Sequence, residues 1–155
     1  MEITVAQAYL CEAREQLTKA TKVIQHCLDQ LDDEQLDWRP NESMNSVGNL
    51  VLHLCGNVRQ WIISGIGNEA DKRNRPQEFA DRGPFVKADL IACLGDVVHQ
   101  ADAVFQSITP TQLLKHRRIQ GFETTGLAAI FDSVAHYKGH TQEIVSLTRM
   151  QLGER

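Results

Sequence analysis

The sequence lacks several features that would assign it to a membrane or nucleic-acid class. No apolar run approaches the roughly 18 residues that a membrane-spanning helix needs. The stretch from Met1 to Thr4 has neither the basic nor the apolar region of a signal peptide. Lys and Arg number 16 against 20 Asp and Glu, a formal net charge of −4, whereas proteins that follow phosphates are usually basic. We therefore expect a cytoplasmic protein that binds neither membranes nor nucleic acid.

Cysteine is scarce and scattered. The four residues Cys11, Cys27, Cys55 and Cys93 form no Cys-x-x-Cys pair, and each falls in an apolar helical pattern. Free cysteines in such patterns pack as small apolar residues, and a reducing compartment keeps them unpaired. The pattern predicts that all four fill the core.

Strand-like alternation of apolar and polar residues is also missing. Apolar residues instead recur in steps of three and four, the period of a helix with one buried face. This pattern predicts helices at residues 4–31, 46–65, 87–108 and 125–152, each begun or ended by capping or helix-breaking residues. Four amphipathic helices predict an all-α four-helix bundle, built as a single domain over residues 1–155.

A long polar connection separates the second and third predicted helices. Residues 68–84 mix both signs of charge and include Arg73 and Arg75. Loops of this length in compact domains are often functional or mobile. We predict a long loop that could contact a substrate.

Histidine is the residue type that points to chemistry. His136 and His140 are four residues apart, which places both rings on one helical face, as in a two-histidine metal clamp. Tyr137 stands where a zinc-protease helix has glutamate, so that motif is excluded. His53 flanks the apolar face of the second helix, and metal sites in bundles are built from facing helices. The residues alone leave two interpretations open: a metal site, or partly buried histidines with hydrogen-bonded neighbours.

The other three histidines, which we expect to be surface or packing residues, are His26, His99 and His116.

The order of these motifs resembles that of a known family. The chain contains Trp38-Arg39-Pro40, then a helix with His53 followed by Trp61, then His136-x-x-x-His140 with Gln142-Glu143-Ile144. This order of motifs is similar to that of the DinB-like (YfiT-like) superfamily. The resemblance covers nearly the whole chain. It implies a four-helix bundle, a homodimer, and a divalent metal ion (zinc, nickel or iron) bound by His53, His136 and His140, with water in the open positions.

Glu143 is a departure, because many relatives carry glutamine where it aligns. It lies three residues after His140, so it could orient that ring or act as a catalytic base, or it could simply face solvent.

Two functions follow as competing hypotheses. The resemblance implies a metal-dependent enzyme, a hydrolase or a low-molecular-weight-thiol transferase, acting on a small molecule at an open metal position. Substrate contacts would come from Asn57, Trp61, Arg73 and Arg75, although Trp61 also lies within the apolar face of its helix. The alternative is a non-enzymatic stress-related or interaction protein with a structural or empty site.

Overall fold

The computed structural model describes residues 3–153, which are mostly helical. Met1 and Glu2, on which the signal-peptide argument partly rests, lie outside the described residues, as do Glu154 and Arg155. Seven α-helices and one two-stranded hairpin follow one another in the chain. They are α1 (Val5–Gln30), α2 (Asp33–Asp37), α3 (Val47–Val58), α4 (Arg75–Ala80), α5 (Lys87–Ser107), α6 (Pro110–Leu114), β1 (His116–Ile119), β2 (Phe122–Thr125) and α7 (Gly126–Leu152), with a π-helical segment Arg59–Ser64 directly after α3.

The predicted helical segments correspond to the four longest helices, and their capping residues explain where they begin. Thr4, Ser46 and Thr125 each accept a hydrogen bond from a backbone N–H of the first turn of α1, α3 and α7. The first two form reciprocal capping boxes, Ser46 with the side chain of Asn49. The end of the second predicted helix is π-helical rather than α-helical.

The mostly helical prediction is confirmed, but the count of four helices is not, because the described residues contain seven. The predicted loop at 68–84 contains α4, which Asn74 caps and which has Pro76 in its first turn. Thr109-Pro110 ends α5 as expected and also begins α6. Although the sequence shows no strand-like alternation, β1 pairs antiparallel with β2, from His116 opposite Thr125 to Ile119 opposite Phe122.

The four longest helices enclose one apolar core. α1 packs against α5 and α7, and α3 packs against the same two helices from the other side. Fully buried side chains from all four meet there, among them Ile24, Leu28, Leu50, Leu54, Leu94, Ile130, Tyr137 and Ile144. Burial of each large apolar side chain contributes about 1.5–3 kcal/mol. None of the described helices combines the length and the apolar character needed to cross a membrane.

The cysteine prediction is only half correct. Cys27 and Cys55 are buried in the core, whereas Cys93 is partly exposed and Cys11 is exposed on α1. Cys11 and Glu12 both lie on the outer side of α1. Cys11 is one position away from the buried face of the helix, which explains its exposure.

Candidate metal centre

Three histidines from two helices meet at the edge of the core. His53 lies on α3, and His136 and His140 lie one turn apart on α7. One ring nitrogen from each lies within 4.8 Å of the other two. The Nε2 atoms of His53 and His136 are 3.0 Å apart. The structure therefore brings together the three residues that the sequence singled out.

The rotation of α7 places its two histidines at this edge. Tyr137, between them in sequence, is fully buried, and its hydroxyl lies 2.9 Å from Thr21 Oγ1 on α1. Burial raises the pKa of Tyr137 well above its usual value, so the phenol stays neutral as a hydrogen-bonding group. With Tyr137 turned into the core, His136 and His140 lie on the flank that faces α3.

A buried carboxylate holds the far side of the His53 ring. His53 Nδ1 lies 2.9 Å from Glu78 Oε2, and the two side chains are 5% and 9% exposed. The tautomer with its proton on Nδ1 donates to the carboxylate and leaves a lone pair on Nε2, toward His136. Burial raises the pKa of Glu78, but hydrogen bonds from His53 and Arg73 outweigh it and hold that pKa below its usual value.

Arg73 completes the neutralisation of this carboxylate. Its Nε and Nη2 atoms donate to the two oxygens of Glu78 at 2.7 and 2.9 Å, and its Nη1 donates to Gln60 Oε1 at 2.9 Å. The Arg73 side chain is 3% exposed. Paired forks of this kind are the strongest form of ion pair. The guanidinium is thus committed to Glu78 and Gln60.

The ion pair fits against α3 only because residue 56 is glycine. A Cβ at Gly56 would lie 1.9 Å from Glu78 Oε1 and 2.9 Å from Arg73 Nε. Such distances are far inside van der Waals contact. Gly56 therefore provides the space in which the ion pair lies, one turn after His53.

Asn49 fixes α4, which carries Glu78, onto α3. The buried Asn49 side chain donates from Nδ2 to the backbone carbonyls of Glu78 and Asp81 at 3.0 and 2.8 Å. These carbonyls belong to the last turn and C-cap of α4, where intrahelical partners are lacking. Sequence reasoning missed Glu78 and Asn49, because Glu78 lay in a predicted loop and no spacing linked it to His53.

A second carboxylate contacts His140. Glu143 Oε2 lies 2.7 Å from His140 Nδ1, on the same helix and three residues later. The His140 and Glu143 side chains are 26% and 38% exposed. With Nδ1 donating to Glu143, the lone pair of His140 lies on Nε2. This geometry favours the role of orienting the ring over the role of a catalytic base.

His136 differs from the other two histidines. Its Nδ1 is buried and has no hydrogen-bond partner among residues 3–153. Burial and the nearby positive groups of His140, His53, Arg73 and Arg75 lower the pKa of His136 to about 4. The ring is therefore neutral at physiological pH, the form in which imidazole binds a metal.

The donor set fits a divalent metal ion. Ligand nitrogens about 2.1 Å from a tetrahedral ion lie about 3.4 Å from one another, a spacing inside the 4.8 Å limit of this cluster. Two of the three rings have a carboxylate on the far nitrogen, the usual support of a metal-bound histidine. An ion would also give the crowded nitrogens a common partner. These three residues could hold one ion and leave a coordination position open.

A small polar cavity of about 230 Å³ opens beside the cluster. His53 and His136 line this cavity. So do all four residues that were predicted to contact a substrate, namely Asn57, Trp61, Arg73 and Arg75. Asn57 is buried and accepts from Ser133 Oγ at 2.9 Å, and Trp61 Nε1 donates to Gln120 Oε1 at 3.1 Å. Trp61 is half-buried and lies beside the Phe122 ring.

The two arginines of this cavity differ in their surroundings. Arg73 is buried in its ion pair, whereas Arg75 is exposed, with its guanidinium 5.1 Å from the centre of the Phe79 ring. The histidines expected to be peripheral, His26, His99 and His116, are all exposed, and none belongs to the cluster.

Comparisons with known proteins agree with this fold. The profile of the family described as "Protein of unknown function (DUF1572)" matches residues 4–155. A conserved protein from Enterococcus faecalis has a similar crystal structure, with a TM-score of 0.81 and 16% identity over 99% of this chain and 100% of that one. No curated protein matches the chain.

Two DinB-like proteins of known structure are also similar. YjoA from Bacillus subtilis has a TM-score of 0.70 and 15% identity over 93% of this chain and 94% of its own. A DinB-like protein from Bacillus cereus has a TM-score of 0.70 and 18% identity, over 88% of this chain and 87% of its own. At these identities the likeness concerns the fold, and it confirms the resemblance inferred from the sequence motifs.

Proposed function

We propose that this chain, which belongs to the DUF1572 family and has a DinB-like fold, is a metal-dependent enzyme acting on a small polar molecule. His53, His136 and His140 would hold a divalent ion such as zinc, nickel or iron. The observation that carries this proposal is the convergence of three ring nitrogens within 4.8 Å, two of them with a carboxylate on the opposite ring nitrogen. The whole chain would act as one domain.

The side chains of the cavity support a reaction on a small substrate. A divalent ion held by three imidazoles supplies an open position that activates water or polarises a substrate atom. The exposed Arg75 is placed to attract an anionic group, and Asn57 offers an amide that could orient it. Arg73, held by Glu78 and Gln60, would position His53 rather than bind substrate. Hydrolysis and low-molecular-weight-thiol transfer are the two reaction types that we propose to test.

Glu143 would act through His140. Its carboxylate accepts the Nδ1 proton and so directs Nε2 toward the other two histidines. We assign it the role of a positioning residue.

Metal content tests this proposal directly. The purified chain is stripped with a chelator, reloaded with zinc, nickel or iron(II), and desalted, and the metal is measured by elemental analysis. We expect about one ion per chain for the wild type and a loss of most of it in His53→Ala, His136→Ala or His140→Ala. The exposed His99→Ala is the matched control and should retain full occupancy. Full occupancy in His53→Ala would contradict the three-histidine site.

Turnover is tested separately on the loaded protein. Ester substrates and thiol-adduct substrates are screened with and without the chelator, and with His136→Ala as the control. Activity that requires the ion identifies an enzyme. Metal binding without turnover of either class would favour the alternative, a stress-related or interaction protein in which the ion is structural.

We also propose a cytoplasmic homodimer. Supporting this, the large apolar residues Phe131 and Leu127 on α7 are 63% and 40% exposed. Phe131 lines an apolar groove of about 370 Å³ together with Tyr9 of α1. A second copy could cover this surface. Sedimentation at micromolar concentration should give a dimer, and Phe131→Glu should shift it toward the monomer; a wild-type monomer would contradict the proposal.

A further inference from the structure

A second group of reactive side chains lies between α3 and α5. Cys93 of α5 is partly exposed and lines a cleft of about 440 Å³, to which Cys55 and Arg59 also contribute. The described lining includes none of the three clustered histidines. The proposed metal chemistry makes no use of this thiol.

A guanidinium is directed at the sulfur. Arg59 Nη1 donates to Cys93 Sγ at 3.6 Å, and Arg59 Nη2 donates to Asp96 Oδ2 at 3.3 Å. Asp96 is one turn after Cys93 on α5, so it holds the guanidinium beside the thiol. A fixed positive charge beside sulfur stabilises the thiolate relative to the thiol.

A second thiol lines the same cleft. Cys55 is 1% exposed and lies on α3, opposite Cys93 on α5. The Cys55 thiol, as a hydrogen-bond donor, and the charge of Arg59 outweigh burial and lower the pKa of Cys93 to about 6. The charged and titratable groups that act on the sulfur are Cys55 on α3, Arg59 at the end of α3, Asp96 on α5 and Tyr137 on α7. The cleft is also lined by the charged residues Glu69, Asp71, Lys72, Arg73 and Glu78.

We propose that Cys93 is a thiolate nucleophile and a site of modification by low-molecular-weight disulfides that enter this cleft. The Cys93 thiolate attacks one sulfur of a disulfide R–S–S–R. A new S–S bond forms between Cys93 and that sulfur, the old S–S bond breaks, and its electron pair leaves with R–S⁻, which takes a proton from water. Cys93 is oxidised to the mixed disulfide, and half of the small disulfide is reduced to thiol.

The expected rate advantage follows from two opposing effects. At pH 6 a thiol with a pKa of about 6 is half ionised, whereas an ordinary thiol with a pKa of about 8.5 is about 0.3% ionised, a ratio of roughly 160. The less basic thiolate is intrinsically a weaker nucleophile, which costs about 13-fold at a Brønsted slope near 0.45. Cys93 should therefore react about tenfold faster than an ordinary accessible thiol at pH 6. The advantage should disappear at about pH 7.4, where the ratio of thiolate fractions falls to about 13, and reverse at higher pH.

The exposed Cys11 is an internal comparator for the experiment. The full-length protein is treated with hydroxyethyl disulfide, a small neutral probe, from pH 5.5 to 9, and adducts at each cysteine are quantified by peptide mass spectrometry. We expect the Cys93 adduct to form at least several-fold faster than the Cys11 adduct at pH 6, with a rate that levels off above about pH 7. Equal rates at pH 6, or a Cys93 rate that keeps rising to pH 9, would overturn the proposal.

Substitutions at Cys93, Arg59 and Cys55 separate activation from simple exposure. Cys93→Ser should abolish the fast adduct. Arg59→Met and Cys55→Ala should each slow the reaction at pH 6 and shift its pH profile upward, and Arg59→Lys should restore part of the rate because it keeps the charge. Circular dichroism checks that each variant is folded. His136→Ala should leave the Cys93 rate unchanged, so the result is independent of whether the protein binds a metal; unchanged profiles in both Arg59→Met and Cys55→Ala would contradict the assignment.

Discussion

Two carboxylates contact ring nitrogens in the histidine cluster, and the chain supplies them in different ways. Glu143 is three residues from His140 on the same helix, and its side chain is 38% exposed. Glu78 comes from α4, 25 residues after His53, and its side chain is 9% exposed. The exposed contact needs only a formed helix. The buried contact needs the whole connection between α3 and α5 to be docked, so a change there should affect both stability and the site.

The largest effect is expected from Arg73→Met, which removes both guanidinium bonds from buried Glu78. A carboxylate left in a buried site without its cation costs about 3–5 kcal/mol. We expect the free energy of unfolding of the metal-free protein, measured with urea at pH 7, to fall by about 3 kcal/mol, the lower end of that range, because His53 still donates to Glu78.

Arg118→Met is the matched control for this change. Arg118 is 73% exposed and lies 3.8 Å from Glu123, so its removal should cost less than about 0.5 kcal/mol. Similar losses of unfolding free energy in the two variants would mean that burial does not make the Arg73–Glu78 ion pair stronger than an exposed one. The argument that buried Glu78 and exposed Glu143 differ would then fail.

The next largest effect is expected from Gly56→Ala. The added methyl group overlaps the Glu78–Arg73 ion pair, and overpacking of this kind costs about 1–3 kcal/mol. Gly95→Ala on α5 is the control, since no atom lies within 4 Å of its added Cβ. That variant should stabilise the protein by about 0.5–1 kcal/mol, as expected for alanine in place of glycine within a helix. Urea unfolding of both variants measures the difference, and the same sign in both would contradict the role of Gly56.

The same contrast explains what could be predicted from the sequence. The helices that contain the histidines are long and periodic, so their existence, their caps at Thr4 and Ser46, and the meeting of His53 with His136 follow from spacing and from the family resemblance. The contact between Glu143 and His140 follows from helical geometry alone.

The missed features depend on tertiary contacts. Glu78 lies on a six-residue helix that is too short to show a period, and Asn49, which holds that helix, could be recognised in the sequence only as a cap. The hairpin at 116–125 has strands of four residues, for which alternation carries little signal. Apolar type alone does not distinguish the exposed Leu127 and Phe131 from core residues of α7, because exposed apolar residues are common.

A smaller effect on metal affinity is expected from Glu78→Gln, which also lowers stability because it leaves buried Arg73 without its charged partner. The amide keeps the shape and can still accept from His53, but it loses the charge that makes the ring a stronger donor to a metal. Changes to such supporting carboxylates weaken metal binding 10–100-fold, and we expect about tenfold here. Competition titration with a metal indicator measures it. An unchanged dissociation constant would show that the buried carboxylate serves folding alone.

The smallest effect is expected from Glu143→Gln, and it sharpens the comparison most. The substitution is chemically the same as Glu78→Gln and again affects a carboxylate on a histidine Nδ1, but at an exposed site. Solvent there screens the carboxylate and can replace it as the acceptor of the His140 proton, and exposed pairs of this kind contribute about 0.2–1 kcal/mol. The same titration should therefore show a loss of metal affinity of about twofold. A loss as large as that of Glu78→Gln would mean that the support of each ring depends on the charge of its carboxylate and not on its burial.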